Sequence, residues 1–209
     1  MRSPVTLNTR KIVVLGSRSV GKSSLVKQLT DGNFSELYYP TTDTTVSKTI
    51  MYNGIEYPCE IIDTAGQDEF SQLKSQHAIG IHGYVLVYSI TSRASFNMIQ
   101  IIYDKILNYS GLSEIAAIIV GSKADLNMDR QVDSKDGQEL ALRNKTAWIE
   151  ASALRNENVG ELRFYFVQEF NSRDDLRQLA KAFELCLAEI EKGNAPPPPS
   201  PRKPSCRIM

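Results

Sequence analysis

Ile12-Val-Val-Leu15 runs directly into Gly16-Ser-Arg-Ser-Val-Gly21-Lys22-Ser23, and the fold of the chain turns on this junction. The apolar run, preceded by Lys11, is short and rich in β-branched side chains, so Lys11–Leu15 reads as a buried strand ending at Gly16. From Lys22 onward Leu25, Val26 and Leu29 fall at helical spacing, which predicts a helix over Lys22–Leu29. Between strand and helix stands G-x-x-x-x-G-K-S, the spacing of a phosphate loop. Such a loop turns its backbone N–H groups, and the N-terminus of the helix behind it, toward an anion. Gly21 lets the backbone approach a phosphate, Lys22 reaches the β and γ phosphates, and Ser23 ligates Mg²⁺. A plain strand-to-helix turn would need only the glycines; the lysine and serine at this spacing mark the motif.

Outward from this junction, Thr44–Tyr52 and Ile55–Asp63 flank Asn53-Gly54 and read as an antiparallel hairpin. Tyr84–Tyr88 and Ala116–Val120 are further buried strands, Ala94–Tyr109 and Lys135–Asn144 helices, and Ala147–Ile149 a short strand. A long helical stretch ends near Lys192. The alternation predicts an α/β fold of the P-loop NTPase type, a six-stranded, mostly parallel sheet flanked by helices.

The chain has 209 residues, with Lys plus Arg 24 and Asp plus Glu 24, so its net charge is zero. That balance excludes nucleic acid as the obvious partner. Hydrophobic content of 42% and charged content of 23% suit a globular domain. Cys59, Cys186 and Cys206 are too far apart to form a disulfide framework or a zinc site. The N-terminus has no apolar signal-peptide core, and no run is long enough to span a bilayer, so the expected setting is the cytosol or a cytosolic membrane face. Prolines crowd between Pro196 and Pro204, which predicts an extended tail. The chain therefore divides into an arm at 1–9, a folded domain at 10–192 and a tail at 193–209.

Two more motifs narrow the ligand. Asp63-Thr-Ala-Gly66-Gln67 follows the second hairpin strand, where an acid can hold Mg²⁺ through water, Gly66 N–H can meet a γ-phosphate and Gln67 can orient an attacking water. Gly121-Ser-Lys123-Ala-Asp125 follows another strand, and an Asp there can accept from the N1–H and 2-amino group of guanine. Adenine lacks that donor pair and would leave the carboxylate unpaired. Backbone N–H groups of Glu150-Ala-Ser152-Ala153 can meet the guanine O6. Together, in this order, the motifs select GTP over ATP.

These residues resemble the Ras superfamily of small GTPases over about residues 10–192. Arg10-Lys-Ile12, Gly16 to Leu25, Asp63 to Glu69, Gly83 to Ser89 and the Cys206 ending are most similar to the Rheb subfamily, with Arg18-Ser19 the telling pair. The resemblance implies that Ser19, Val20, Gly21, Lys22, Ser23 and Ser24 hold the phosphates, that Phe34 stacks on guanine beside Ser35, and that Tyr38 lies over the phosphates. It implies Thr41 as a switch I threonine binding Mg²⁺ and the γ-phosphate, with Ser23 and Asp63 as the other metal groups and Gly66 at the γ-phosphate. Ser122, Lys123, Asp125, Ser152 and Ala153 would surround the base, and Gln67, Lys22 and Thr41 would serve catalysis. Asp63 to about Gln76 would be switch II. By resemblance the chain is a switch that hydrolyses GTP to GDP slowly, depends on a GTPase-activating protein and an exchange factor, and signals to an effector kinase complex of the TOR pathway or to amino-acid uptake. In such proteins the glutamine matters less, because the partner supplies a catalytic side chain. The alternative is a nucleotide-binding scaffold that no longer cycles.

Three departures stand out. Ser122 replaces an asparagine that normally reaches the base N7 and braces neighbouring loops, which predicts faster nucleotide release. The effector segment reads Tyr38-Tyr-Pro-Thr41-Thr-Asp43, where the family has Asp at the Tyr39 position and Ile-Glu after the threonine. Gly160 to Leu179 is extra to the family spacing; it reads either as a retained intron, since Gly160-Glu-Leu162 and Leu179-Ala180 permit donor-like and acceptor-like codons in frame, or as a true insertion. Finally, Cys206-Arg-Ile-Met209 matches a prenylation box, and its Met favours farnesyl. Farnesyltransferase would then be a partner, and one chain gives weak, reversible attachment to the cytoplasmic face of a membrane.

Overall fold

A computed structural model of the chain describes residues 9–35, 41–52, 54–157, 159 and 182–194. Residues 1–8, Tyr38, the stretch 160–179 and the tail from 195 with Cys206 lie outside these. The strands are β1 (Arg10–Leu15), β2 (Thr44–Tyr52), β3 (Ile55–Asp63), β4 (Gly83–Ser89), β5 (Ala117–Ser122) and β6 (Ala147–Ala151). The helices are α1 (Lys22–Asp31), α2 (Arg93–Ser110), α3 (Ser134–Asn144) and α4 (Ala182–Asn194). The strands form one sheet in the order β2-β3-β1-β4-β5-β6, parallel throughout except for the β2–β3 hairpin. This is the six-stranded, mostly parallel architecture that the alternation of elements predicts.

The apolar runs explain the layering. Every residue of β4 and β5 is buried, because helices cover both faces of a parallel sheet. Successive side chains point to opposite faces. Val14, Val85, Val87, Ile118 and Val120 thus meet Leu25 and Leu29 of α1 and Phe183 and Leu187 of α4. Val13, Leu15, Leu86 and Ile119 meet Ile99, Ile102 and Ile106 of α2 and Leu140 of α3 on the other face. The edge strand β2 is mostly exposed or half-buried.

The α4 helix docks firmly after the extra stretch. Val159 before it and Ala182 after it are both fully buried in the same cluster. Gly83 at the start of β4 makes room, since a Cβ there would stand 2.7 Å from both Cys186 Sγ and Ile190 Cδ1. Phe183, Leu187 and Ile190 are buried, each worth roughly 1.5–3 kcal/mol. Arg10 Nε adds a half-buried ion pair to Glu191 Oε1 at 2.9 Å.

Element ends differ from the sequence reading at two strands that matter for the site. β5 runs on through Gly121 and Ser122, and β6 through Glu150 and Ala151, because Ser89, Ser122 and Ala151 stand in register across three strands. Ser122 is therefore a buried strand residue rather than part of a loop.

Candidate functional site

The carboxyl ends of β1, β3, β5 and β6 deliver their loops to one edge of the sheet, where open α/β sheets take ligands. A cavity of about 700 Å³ lies there. Ser19, Gly21, Lys22, Ser23 and Ser24 line it from the phosphate loop, Phe34, Ser35 and Thr41 from the segment after α1, and Asp63 and Gly66 from beyond β3. Ser122, Lys123, Asp125 and Ala153 line its far end.

The phosphate-loop end is shaped by backbone. Gly16 sits at φ +152°, and a Cβ there would lie 2.1 Å from Val87 O, so the position admits only glycine. Gly21, at φ +99°, starts α1 with no side-chain cap. The first helical N–H groups are thus left to a ligand, the electropositive cradle an anion requires. Lys22 is buried, and its Nζ donates to Gly16 O at 3.0 Å and Ser17 O at 2.9 Å. Burial pulls its pKa down to about 8, with Asp63 pushing back.

The oxygens beside it suit a hard cation. Ser23 Oγ and Thr41 Oγ1 are 2.8 Å apart. Asp63 is buried; burial raises its pKa, opposed by its hydrogen bond to Ser23 and by the charge of Lys22. Among the described residues Asp63 Oδ1 is a buried acceptor without a partner, a state that an ion or bound water would relieve. Ser23, Thr41 and Asp63 therefore fit Mg²⁺ chemically. No group of three or more His, Cys, Asp or Glu that could hold a metal exists among the described residues, so such an ion would complete its shell with phosphate oxygens and water.

Asp125 anchors the far end. Ser152 Oγ donates to Asp125 Oδ1 at 2.5 Å, and Arg155 N donates to Ser152 Oγ at 3.1 Å. The carboxylate is thereby oriented while its remaining lone pairs stay available to paired donors such as those of guanine. Arg130 grips Glu150 through two bonds, Nη1 to Oε1 at 2.6 Å and Nη2 to Oε2 at 2.8 Å, which fixes the loop behind Ser152. Leu126 and Leu154 complete the wall. Sequence reasoning passed over both, although each directly follows a polar motif residue or its neighbour and offers an apolar face for a ring.

Among the described residues, three expected site residues stand outside the lining. Val20 is buried, and its carbonyl takes a hydrogen bond from Ser122 Oγ. Ser152 acts through Asp125. Gln67 is turned onto the phosphate loop: its N donates to Gly16 O at 3.1 Å, and its Oε1 accepts from Gly16 N at 3.1 Å. Arg18 packs over Gly66, whose Cβ would fall 2.3 Å from Arg18 Cγ.

A strand, phosphate loop and uncapped helix that open on one cavity with a braced base-side carboxylate define a nucleotide hydrolase of the small-GTPase class. The chain belongs to the Ras family, whose model matches residues 11–172. It is 51% identical over 197 residues to the GTP-binding protein rhb1 of Schizosaccharomyces pombe, covering 94% of this chain and 96% of that one. It is also 44% identical to the small monomeric GTPase RhbA of Aspergillus fumigatus, covering 94% and 95% of the two chains. The human GTP-binding protein Rheb is 40% identical over 83% of this chain and 95% of its own.

Proposed function

We propose that this chain is a Mg²⁺-dependent, Rheb-like switch that binds and hydrolyses GTP, acts on the TOR growth pathway, and is held at the cytoplasmic face of membranes by a farnesyl group on Cys206. One observation carries the nucleotide reading. The uncapped start of α1 with buried Lys22, and the Ser152-braced Asp125, face opposite ends of the same cavity. The names of the relatives, GTP-binding protein and small monomeric GTPase, support it.

In this reading the α1 N-terminus and Lys22 hold the β and γ phosphates, and Asp125 reads guanine. Ser23, Thr41 and Asp63 hold Mg²⁺, which would neutralise phosphate charge. Ser23 and Thr41 already touch, so a ligand on both ties the segment after Thr41 to the phosphate loop, and loss of the γ-phosphate loosens that tie. Gln67 must leave Gly16 before it can orient a water, which agrees with slow hydrolysis and dependence on an activating protein. An exchange factor would reload GTP. The domain would run over 10–192, with 160–179 as a dispensable addition between Val159 and α4.

The test uses purified full-length chain and a chain lacking 160–179. Both should bind labelled GDP with unlabelled GTP, but not ATP, competing, and Asp125→Ala should abolish binding. Equal competition by ATP refutes the guanine reading, and an unfolded deletion refutes the dispensable stretch. A second reading, a scaffold that binds without cycling, draws on the engaged Gln67 amide. Single-turnover hydrolysis with and without an activating protein separates them, since the scaffold would hydrolyse in neither.

A further inference from the structure

Past the hairpin, one carboxylate ties together the walls of the cavity's phosphate end. Thr44 and Asp63 form the last pair of the β2–β3 ladder. Beyond it Thr41 reaches Ser23, with Oγ1 2.8 Å from Ser23 Oγ, and Gly66 lines the same cavity. Among the described residues no main-chain hydrogen bond joins 41–43 to 64–66. Asp43 supplies one from its side chain, its Oδ1 accepting from Ala65 N at 2.9 Å. Its other oxygen gathers groups from further along the chain: Lys74 Nζ at 2.6 Å, Gln76 Nε2 at 3.1 Å and His77 Nε2 at 3.2 Å. A carboxylate has two oxygens and about four acceptor sites, so one side chain can hold all these partners where a hydroxyl or an amide could not. The knot is sheltered, since the His77 side chain is buried and that of Asp43 is 14% exposed. None of its members lines the cavity, but Thr41 stands two residues before Asp43 and Gly66 directly follows Ala65.

We propose that Asp43 is a positioning residue for the γ-phosphate: its bond to Ala65 N, steadied by Lys74, Gln76 and His77, holds the main chain of Thr41 and Gly66 where GTP needs them and so sets the preference for GTP over GDP. GDP has no γ-phosphate and makes no demand on the placing of either residue. Cutting the knot at Asp43 leaves Lys22, the start of α1 and the base end of the cavity untouched. The proposal rests on the GTP reading above, which assigns Thr41 and Gly66 to the γ-phosphate, and goes beyond it in giving Asp43 a part in telling one nucleotide from the other.

The experiment compares full-length wild type, Asp43→Ala, Asp43→Asn and Lys74→Ala. Affinities for GDP and for a non-hydrolysable GTP analogue are measured in Mg²⁺ by competition with fluorescent nucleotide, alongside the melting temperature of each nucleotide-free chain. Asp43→Ala should weaken the analogue about tenfold and GDP by no more than about twofold, the size of one charge-assisted hydrogen bond lost from a sheltered site. Asp43→Asn keeps an oxygen for Ala65 N but turns an N–H₂ group toward the Lys74 ammonium, and should shift the ratio of the two affinities about threefold. Lys74→Ala leaves Gln76 and His77 on the carboxylate and should shift the ratio by less than about twofold. A merely structural role would lower the melting temperature and weaken both nucleotides alike, with the ratio as in wild type. Should Asp43→Ala fail to fold, Asp43→Asn decides by the same ratio. An unchanged ratio in the folded Asp43 variants overturns the proposal and leaves nucleotide binding standing. A shift in Lys74→Ala as large as that in Asp43→Ala overturns the bond to Ala65 as the contact that does the holding. A wild type that binds neither nucleotide overturns the guanine-nucleotide reading, and this proposal with it.

Discussion

Ser122→Asn is the sharpest test of how the base end of the cavity governs retention of the nucleotide. The Ser122 hydroxyl owns one proton but faces two carbonyls, Val20 O on the phosphate loop and Tyr88 O at 2.8 Å. Only one of these contacts can have a donor. An asparagine amide brings two N–H donors, so it can serve both carbonyls, and Ser122 borders the cavity, which gives the longer side chain room. One added buried hydrogen bond is worth about 1 kcal/mol, and every 1.36 kcal/mol is about tenfold, so GDP release should slow about fivefold.

The assay loads full-length chain with fluorescent GDP in Mg²⁺ and chases with excess unlabelled GDP at 25 °C, with melting temperature measured in parallel. Ser122→Ala, which deletes the donor at a buried site, should release faster than wild type. The reasoning is refuted by one result: release as fast as wild type, or faster, in a Ser122→Asn variant whose melting temperature is intact.

Lys22, with its pKa near 8, makes binding pH-dependent. Phosphate favours the charged amine, so binding takes up a proton above pH 8 and GDP affinity should fall as pH rises; titration calorimetry at pH 9 in two buffers of different ionisation heat should show the uptake, and Lys22→Arg should remove it. The nucleotide-free fold moves the other way: between pH 8 and 10.5 the unfolded chain binds more protons, so its stability rises with pH. Gly16→Ala forces a Cβ against Val87 O at positive φ, and strain plus overpacking should cost about 2–4 kcal/mol, read as a melting-temperature drop of roughly 5–15 °C. Asp43 accepts from Ala65 N, Lys74 and Gln76 and pairs with His77; burial works against its charge, but these partners together hold its pKa below 3.8. Its stabilising contribution is present above pH 3.8 and is lost as pH falls through the lowered value, so Asp43→Asn should flatten the acid limb of a stability–pH curve.

The parts legible in the sequence are those whose physics is local. Ile12–Leu15 is apolar without interruption, and the glycine and lysine spacing after it has one structural use, so β1, the loop and α1 could be written down directly. Thr44–Asp63 declares a hairpin because Asn53-Gly54 splits two runs of equal length, and the observed ends coincide with the predicted ones. Gly121-Ser122 reads as a loop because both residues are small and polar or flexible, yet neighbours on both sides hold them in the sheet. Gln67 reads as a residue free to meet water. The bridge that pairs Ser17 with Gln67 is a contact between distant segments, and it leaves no periodic trace. Lys105 likewise reads as one more solvated lysine on an amphipathic helix, since the carbonyls that it fills come from a turn more than thirty residues earlier.

The contacts of Ser122 and Gln67 share a target. The phosphate loop is gripped at Val20 by Ser122 from the base end and at Gly16 by Gln67 from the switch end. Lys22 joins the same carbonyl oxygen of Gly16 that Gln67 N uses. Lys22 donates to Gly16 O and Ser17 O and keeps a third N–H, which a bound phosphate would take without releasing either carbonyl. Lys22 would thus link a bound phosphate to the same carbonyl that holds Gln67, while Ser122 ties the loop to the strand that leads into Lys123–Asp125. Retention of the base and placement of the glutamine are thus two outcomes of one loop's bonding, which is why a change at Ser122, far from the γ-phosphate, should alter release and hydrolysis together.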